Sequence, residues 1–169
     1  DKAYSLSQDG TNGLDTFLAD RMSTRGDLCF AALANNRLAG YVWIAFDQVD
    51  ADSNRGESLL TGVAISFPES ICFMYKGFVY REFRGRQIYG RLMSRALTAL
   101  ASRKITHMLS TTDWTNISAL KSCYRIGFRC LGLIWRFGYS WRMCTVTPKP
   151  ARAMGIRFAN RSCDAARSS

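Results

Sequence analysis

Residues Ile71 to Leu100, ICFMYKGFVYREFRGRQIYGRLMSRALTAL, constrain the fold more than any other stretch of this chain. They begin as an apolar strand, pass through a short basic turn at Arg84-Gly85-Arg86-Gln87, and continue as an amphipathic helix. In the helical part Ile88, Leu92, Ala96 and Leu100 recur every four residues, and Met93 and Leu97 widen the stripe. Arg91 and Arg95 fall outside it and face water or a ligand. A strand that feeds a helix through such a turn gathers free backbone N–H groups and the helix's positive end at one spot. That spot suits a phosphate or pyrophosphate. A basic strand–helix turn is also a common solvated loop, so a second signal is needed.

The second signal is a resemblance. Val79-Tyr80-Arg81-Glu82-Phe83-Arg84-Gly85-Arg86-Gln87-Ile88-Tyr89-Gly90 resembles the acetyl-CoA motif of the GNAT superfamily of N-acetyltransferases, commonly V-x-P-x-x-R-G-x-G-x-G/A. Asn116-Ile-Ser-Ala119 through Gly127-Phe128 resembles the family's N-x-x-A…G-F helix, in the expected order and spacing. The resemblance covers about residues 12 to 146. It implies an α/β fold, a mixed, splayed sheet flanked by helices in a single domain, and acetyl-CoA as co-substrate. It also implies that Phe78 and Val79 pair their main chain with pantetheine. The N–H groups of Arg86, Gln87, Ile88, Tyr89 and Gly90 would take the pyrophosphate, with Gly85 shaping the turn. Arg84 or Arg86 would add charge-assisted contacts. Asn116 caps its helix whichever function holds, and relatives use this asparagine near the CoA arm.

Three positions depart from the family pattern. Gln87 and Tyr89 stand where small residues are preferred; Gln87 keeps its N–H, while Tyr89 either packs under the loop or contacts CoA. Many members carry a tyrosine four residues before the glycine of G-F, which protonates the departing thiolate. That position is Cys123 here, with the tyrosine moved one residue to Tyr124, a rotation of ~100° about the helix. Tyr124 shares an apolar stripe with Ile117 and Leu120, so core packing competes with the role of catalytic acid. Histone-type relatives carry a glutamate at the position of Phe73, so that base does not transfer. Glu69, Asp47 and Glu57 are the carboxylates nearest in sequence to the expected cleft mouth. No nucleophile is positioned with a base, which leaves direct attack as the expected course.

At 169 residues, with 47% hydrophobic residues, the chain can bury a core without metal or disulfide support. No apolar run reaches the ~18 residues of a membrane-spanning helix. The six cysteines contain no C-x-x-C pair, and most sit in apolar stretches, which reads as reduced thiols in a cytoplasmic protein. The single histidine, His107, falls in an expected central strand, so no metal site is expected. Because the chain starts at Asp1 without a signal-like segment, it reads as a piece of a longer protein lacking an N-terminal strand. The net charge of +10 suits an acidic ligand such as CoA, a nucleic acid or an anionic surface.

Taken in order, Thr11–Met22 reads as a helix capped by Asn12, and Gly26 as its stop. Leu28–Ala34 and Arg37–Phe46 form a hairpin across Asn35-Asn36. Asp47–Glu57 is read as a polar loop and Leu59–Phe67 as added strand. Gly77 interrupts the strand that follows, as at a bulge or close backbone approach. Ile105–Thr112 is the next strand, Asn116–Ile126 a helix ended by Gly127, and Cys130–Phe137 with Tyr139–Val146 a last strand pair around Gly138. From Thr147 the pattern dissolves. The division is thus residues 1–146 as the acyltransferase domain and 147–169 as a basic tail.

The leading reading is an acetyl-CoA-dependent N-acetyltransferase acting on a primary amine: a small molecule, an amino sugar or a protein amine. A homodimer is left open. The alternatives are a catalytically weak acyl-CoA-binding protein of the same fold and, third, a basic binder of nucleic acid or an anionic surface. No recognised nucleic-acid motif supports the third.

Overall fold

The computed structural model describes residues 24–55, 61–138 and 144–159. The helix expected over 11–22 with its Asn12 cap lies outside the described residues, as do Glu57, Tyr139 and Cys163. In chain order the described strands are β1 (Leu28–Ala34), β2 (Arg37–Phe46), β3 (Gln48–Val49), β4 (Ala64–Ser66), β5 (Ile71–Val79), β6 (His107–Leu109), β7 (Trp135–Phe137), β8 (Cys144–Val146) and β9 (Arg157–Ala159). The helices are α1 (Ile88–Ala101), α2 (Ile117–Arg125) and α3 (Lys149–Ala153). They fall into two compact units interleaved in sequence. One takes the described residues up to Phe46 with Ser70–Ser110, the other Asp47–Glu69 with the described residues from Thr111 onward.

The first unit is a four-stranded mixed sheet in the order β1-β2-β5-β6. The β1–β2 hairpin turns on Asn35 and Asn36, both left-handed at φ 50° and 60°, the geometry that tight two-residue hairpins need and asparagine tolerates. β2 pairs antiparallel with β5, and β5 parallel with β6. Leu38 through Ala45 are all buried, as expected for a strand covered on both faces. Helix α1 covers one face with Leu92, Met93, Ala96 and Leu100, each large side chain contributing roughly 1.5–3 kcal/mol by leaving water. Leu97, counted in the apolar stripe by its spacing, is instead 50% exposed, so the buried face is narrower than the sequence implies. α1 lies on the Met74–Phe46 side: the Tyr89 hydroxyl is 3.2 Å from Met74 Sδ, and the Arg103 guanidinium lies 5.1 Å from the Phe46 ring centre.

β6 is shorter than the Ile105–Thr112 strand expected, and among the described residues it is an edge strand rather than a central one. His107 is accordingly exposed, its Nδ1 2.9 Å from Thr106 Oγ1.

The second unit holds the antiparallel sheet β3-β4-β9 and the short β7–β8 pair. Its core includes Val49, Val63, Ile65, Phe67, Ala151 and Ile156. Two expectations are corrected here. The stretch after Phe46 is not wholly loop, because Gln48 and Val49 pair with Ser66 and Ile65. The pattern also does not dissolve at Thr147: Lys149–Ala153 is helical and β9 pairs with β4. Pro148 and Pro150 mislead a sequence reading, since proline is tolerated in a helix's first turn, and Ile156 and Phe158 then supply apolar contacts. The last strand pair survives only as Trp135–Phe137 with Cys144–Val146.

Candidate active site

β5 does two unusual things. Its register against β2 slips between Trp43↔Tyr75 and Tyr41↔Phe78, so Lys76 and Gly77 carry an extra residue, with Lys76 left-handed at φ 47°. This is the irregularity that Gly77 predicts. On its other side, β5 pairs with β6 only through Ile71, Cys72 and Phe73. From Met74 to Val79, therefore, that edge has no strand neighbour among the described residues.

Within this segment the Phe78 carbonyl faces β2, 2.7 Å from where a side chain at Gly40 would begin. By strand alternation the polar groups of Val79 point to the open edge. The Val79 carbonyl there accepts a hydrogen bond from Arg84 Nε at 3.1 Å. The Phe78 ring packs with Tyr41 (5.9 Å between centres) and edge-on with Tyr80 (5.1 Å), and the Arg84 guanidinium lies 6.0 Å from it.

Gly77 has a specific neighbour. A Cβ at that position would lie 2.9 Å from Tyr89 Cε2 and 3.3 Å from its hydroxyl. Tyr89 thus packs beneath the bulge, against Gly77 and Met74, which answers one of the two roles its bulk left open.

The turn that follows is anchored by Phe83, 7% exposed, with the guanidinium groups of Arg37 and Arg86 each 5.8 Å from its ring centre. Arg84 is extended, Gly85 left-handed at φ 79°, and Gln87 left-handed at φ 57° just before α1. A side chain in the left-handed region costs roughly 1–2 kcal/mol, which is why glycine suits the position Gln87 occupies. The Gln87 carbonyl accepts the first helical bond from Arg91 N at 3.1 Å. The amides of Ile88 and Gly90, ahead of that bond, have no acceptor within the helix. Arg84, Gly85, Arg86 and Gln87 are exposed, and α1 carries no acid in its first turn. The sequence-predicted residues from Phe78 to Gly90 therefore converge on one end of the first unit: an open strand edge, a positive turn and a helix N-terminus.

Asn116, Cys123 and Tyr124 belong to the second unit. Asn116 caps α2, its Oδ1 accepting from Ala119 N at 3.1 Å. Gly127 closes the helix at φ 96°, with Phe128 N donating to Cys123 O at 3.1 Å. α2 buries none of its residues, and Tyr124 is 55% exposed. The packing expected of Tyr124 on an apolar stripe is therefore not its role among the described residues. Cys123 is half-buried, and burial pushes its thiol up, partly offset by a hydrogen bond with Thr112. Asp47 and Glu69 are exposed. A groove of the second unit lined by Pro68, Thr145, Thr147, Arg152 and Ile156 contains none of the sequence-predicted residues.

Of the remaining cysteines described, Cys72 is buried and Cys29 half-buried, both thiols pushed up to about 12 by burial. Cys130 and Cys144 are exposed, against the expectation of apolar surroundings, and all five described cysteines are free. Among the described residues no cluster of His, Cys, Asp or Glu is arranged to hold a metal, and no helix is long and apolar enough to cross a membrane. Sequence reasoning missed Asp27, a buried acid whose Oδ2 accepts from the Tyr75 hydroxyl at 2.7 Å. Its one signal is an acid between Gly26 and the first apolar strand.

A mixed sheet opened beside a bulged strand, with a glycine turn feeding a helix, defines an α/β scaffold of the N-acetyltransferase type. The model of the acetyltransferase (GNAT) family matches residues 3–128, and the chain belongs to that family. Solved structures share the fold. An aminoglycoside N-acetyltransferase, AAC(6')-Iy, in complex with CoA aligns with TM-score 0.60 at 14% identity, over 83% of this chain and 96% of that one. A ribosomal-protein-alanine N-acetyltransferase from Brucella melitensis biovar Abortus 2308 aligns with TM-score 0.52 at 12% identity, over 82% and 89%. A putative acetyl transferase from Pyrococcus furiosus gives TM-score 0.53 at 17% identity, over 82% and 92%. A search of curated proteins returns no match.

Proposed function

We propose that this chain transfers an acetyl group from acetyl-CoA to a primary amine by direct attack, in the cytoplasm. The observation that carries the reading is the coincidence of β5's open edge beyond Phe73 with the Arg84–Gln87 turn and the start of α1. In this reading Val79 meets the pantetheine amides, as a neighbouring strand would, whereas the Phe78 main chain expected to share that role faces β2 instead. The amides from Arg86 to Gly90 hold the pyrophosphate, with Gly85 giving the turn its shape and Arg84 or Arg86 adding charge-assisted bonds. The described residues of the first unit carry this site.

The amine nitrogen, neutral when it attacks, forms a bond to the acetyl carbonyl carbon as the carbon–sulfur bond breaks. The thiolate leaves with a proton, from water or from the phenol of Tyr124. The fold relatives include an enzyme named for aminoglycosides and one named for ribosomal-protein alanine, so an amino sugar and a protein amine are the acceptor classes to try first.

A second reading, an acyl-CoA binder with weak catalysis, is favoured by Cys123 and Phe73 standing where relatives carry an acid and a base. The test is thiol release from acetyl-CoA in the presence of neamine or of an alanine-terminated peptide. Acceptor-dependent release supports transfer. Binding of acetyl-CoA without release on either acceptor favours the second reading, and no binding contradicts both.

A further inference from the structure

The described residues of the first unit hold ten lysines and arginines against two acids, Asp27 and Glu82. Both acids are engaged. Asp27 is 2% exposed and accepts from the Tyr75 hydroxyl at 2.7 Å, and Glu82 Oε1 accepts from Arg37 Nη2 at 3.1 Å. Several of the cations have an evident place. Arg84 and Arg86 sit in the turn proposed for the CoA phosphates, Arg91 and Arg95 are exposed along α1, and Arg103 lies over the Phe46 ring. Lys76 stands apart from all of these.

β5 is buried from Ile71 through Tyr75 and emerges at Lys76, which is exposed within the bulge at φ 47°. β6 stops pairing at Phe73, so this cation stands where the strand edge is open. A left-handed position favours glycine or asparagine, so backbone geometry does not explain a lysine there. In the acetyl-CoA reading the pyrophosphate lies at the amides from Arg86 to Gly90, and the arm passes Val79 on its way back along β5. Three strand residues span roughly 10 Å, which puts Lys76 beside the far, thioester end of that arm. The arm is a chain of amides closed by a thioester and carries no charge. The charge of Lys76 therefore has no counterpart in acetyl-CoA, whose phosphates lie by Arg84 and Arg86.

We infer that Lys76 selects the acceptor by pairing with a carboxylate carried beside its amine, so that the substrate class is an amine on an acidic molecule. This rests on the acetyl-transfer reading. The carboxylate docks on Lys76 Nζ and leaves the amine next to the thioester. The neutral amine then bonds to the acetyl carbon as the carbon–sulfur bond breaks, while Lys76 keeps its proton throughout. A polycationic acceptor such as neamine meets like charge at Lys76, Arg84 and Arg86. Among the described residues of the first unit it finds no exposed carboxylate other than Glu82, which Arg37 already holds.

The experiment measures kcat and KM for the full chain and for Lys76→Gln and Lys76→Glu. The acceptors are neamine and three alanine-terminated peptides that continue in glutamates, glutamines or arginines. Acetyl-CoA affinity by calorimetry and the melting temperature are measured alongside. The wild type should favour the glutamate peptide over the arginine peptide by about 10-fold or more in kcat/KM, mostly through KM, and added salt should shrink the preference. Lys76→Gln should remove most of it and Lys76→Glu should invert it, with acetyl-CoA affinity unchanged. Lys76→Gln serves if the reversed charge does not fold. A wild type that prefers neamine or the arginine peptide overturns the assignment, as does a glutamate preference that both variants keep; transfer itself stands in either case. Weaker acetyl-CoA binding by Lys76→Gln would also overturn it, by moving the lysine to the cofactor. A wild-type chain that binds acetyl-CoA but acetylates none of the four acceptors counts against transfer and the acceptor class together. One that binds no acetyl-CoA overturns the acetyl-CoA reading itself.

Discussion

Helix α1 buries Leu92, Met93, Ala96 and Leu100 in the first unit, whereas α2 in the second buries none of its residues. Both belong to segments that resemble family motifs, yet the resemblances have different physical foundations. The turn before α1 is held from both sides, by the paired half of β5 and by the helix's buried stripe. The α2 motif is local: an asparagine cap at one end and a left-handed glycine at the other. A motif fixed by core packing constrains a site's geometry, while one fixed by backbone signals constrains only the helix that bears it.

The largest expected effect tests that contrast directly. Leu100→Ala, at 1% exposure, should lower unfolding free energy by about 2–5 kcal/mol. Ile117→Ala on α2, at 55% exposure, should stay within about 0.5 kcal/mol. Chemical denaturation of both variants decides it, and equal losses would mean that α2 is packed as firmly as α1.

Next comes the wedge under the bulge. Gly77→Ala should cost about 1–3 kcal/mol, because its Cβ would lie 2.9 Å from the Tyr89 ring. In a Tyr89→Ala background the same change should cost much less. A penalty that persists without the ring would place the strain in the bulged backbone instead.

The smallest effect concerns the thiols. Cys29 and Cys72, both pushed up to about 12 from the ordinary 9.0, should resist a thiol reagent that labels the exposed Cys130 and Cys144 quickly. A raised acid constant means that the folded state holds these protons longer than the unfolded chain does. Their contribution to stability is therefore complete below pH about 9 and lost as pH climbs towards about 12. Cys72→Ala should flatten that alkaline decline in an unfolding series across this window.

The same contrast explains what was legible in the sequence. The β1–β2 hairpin is found to the residue, because Asn35-Asn36 between two apolar runs leaves few alternatives. The bulge is legible from Gly77 and the helix start from the turn's glycine and arginines. Leu97 fails because spacing gives a helix face but not its width. Lys149–Ala153 and β9 fail because prolines and arginines hide a short amphipathic pair whose partner, β4, is distant in sequence. The Asp27–Tyr75 contact depends on β1 and β5 being brought into one sheet by β2, a proximity no local pattern encodes.

The central claim is that the open edge of β5 and the turn into α1 form one cradle for acetyl-CoA. Calorimetric titration of acetyl-CoA into the full chain and into Gly85→Glu tests it most directly. Gly85 sits at φ 79° in open space, so the glutamate adds backbone strain and a negative charge at the proposed pyrophosphate position without meeting the core. The expected result is one site per chain in the wild type and loss of binding in a variant that still melts cooperatively. Equal binding by both proteins would contradict the cradle.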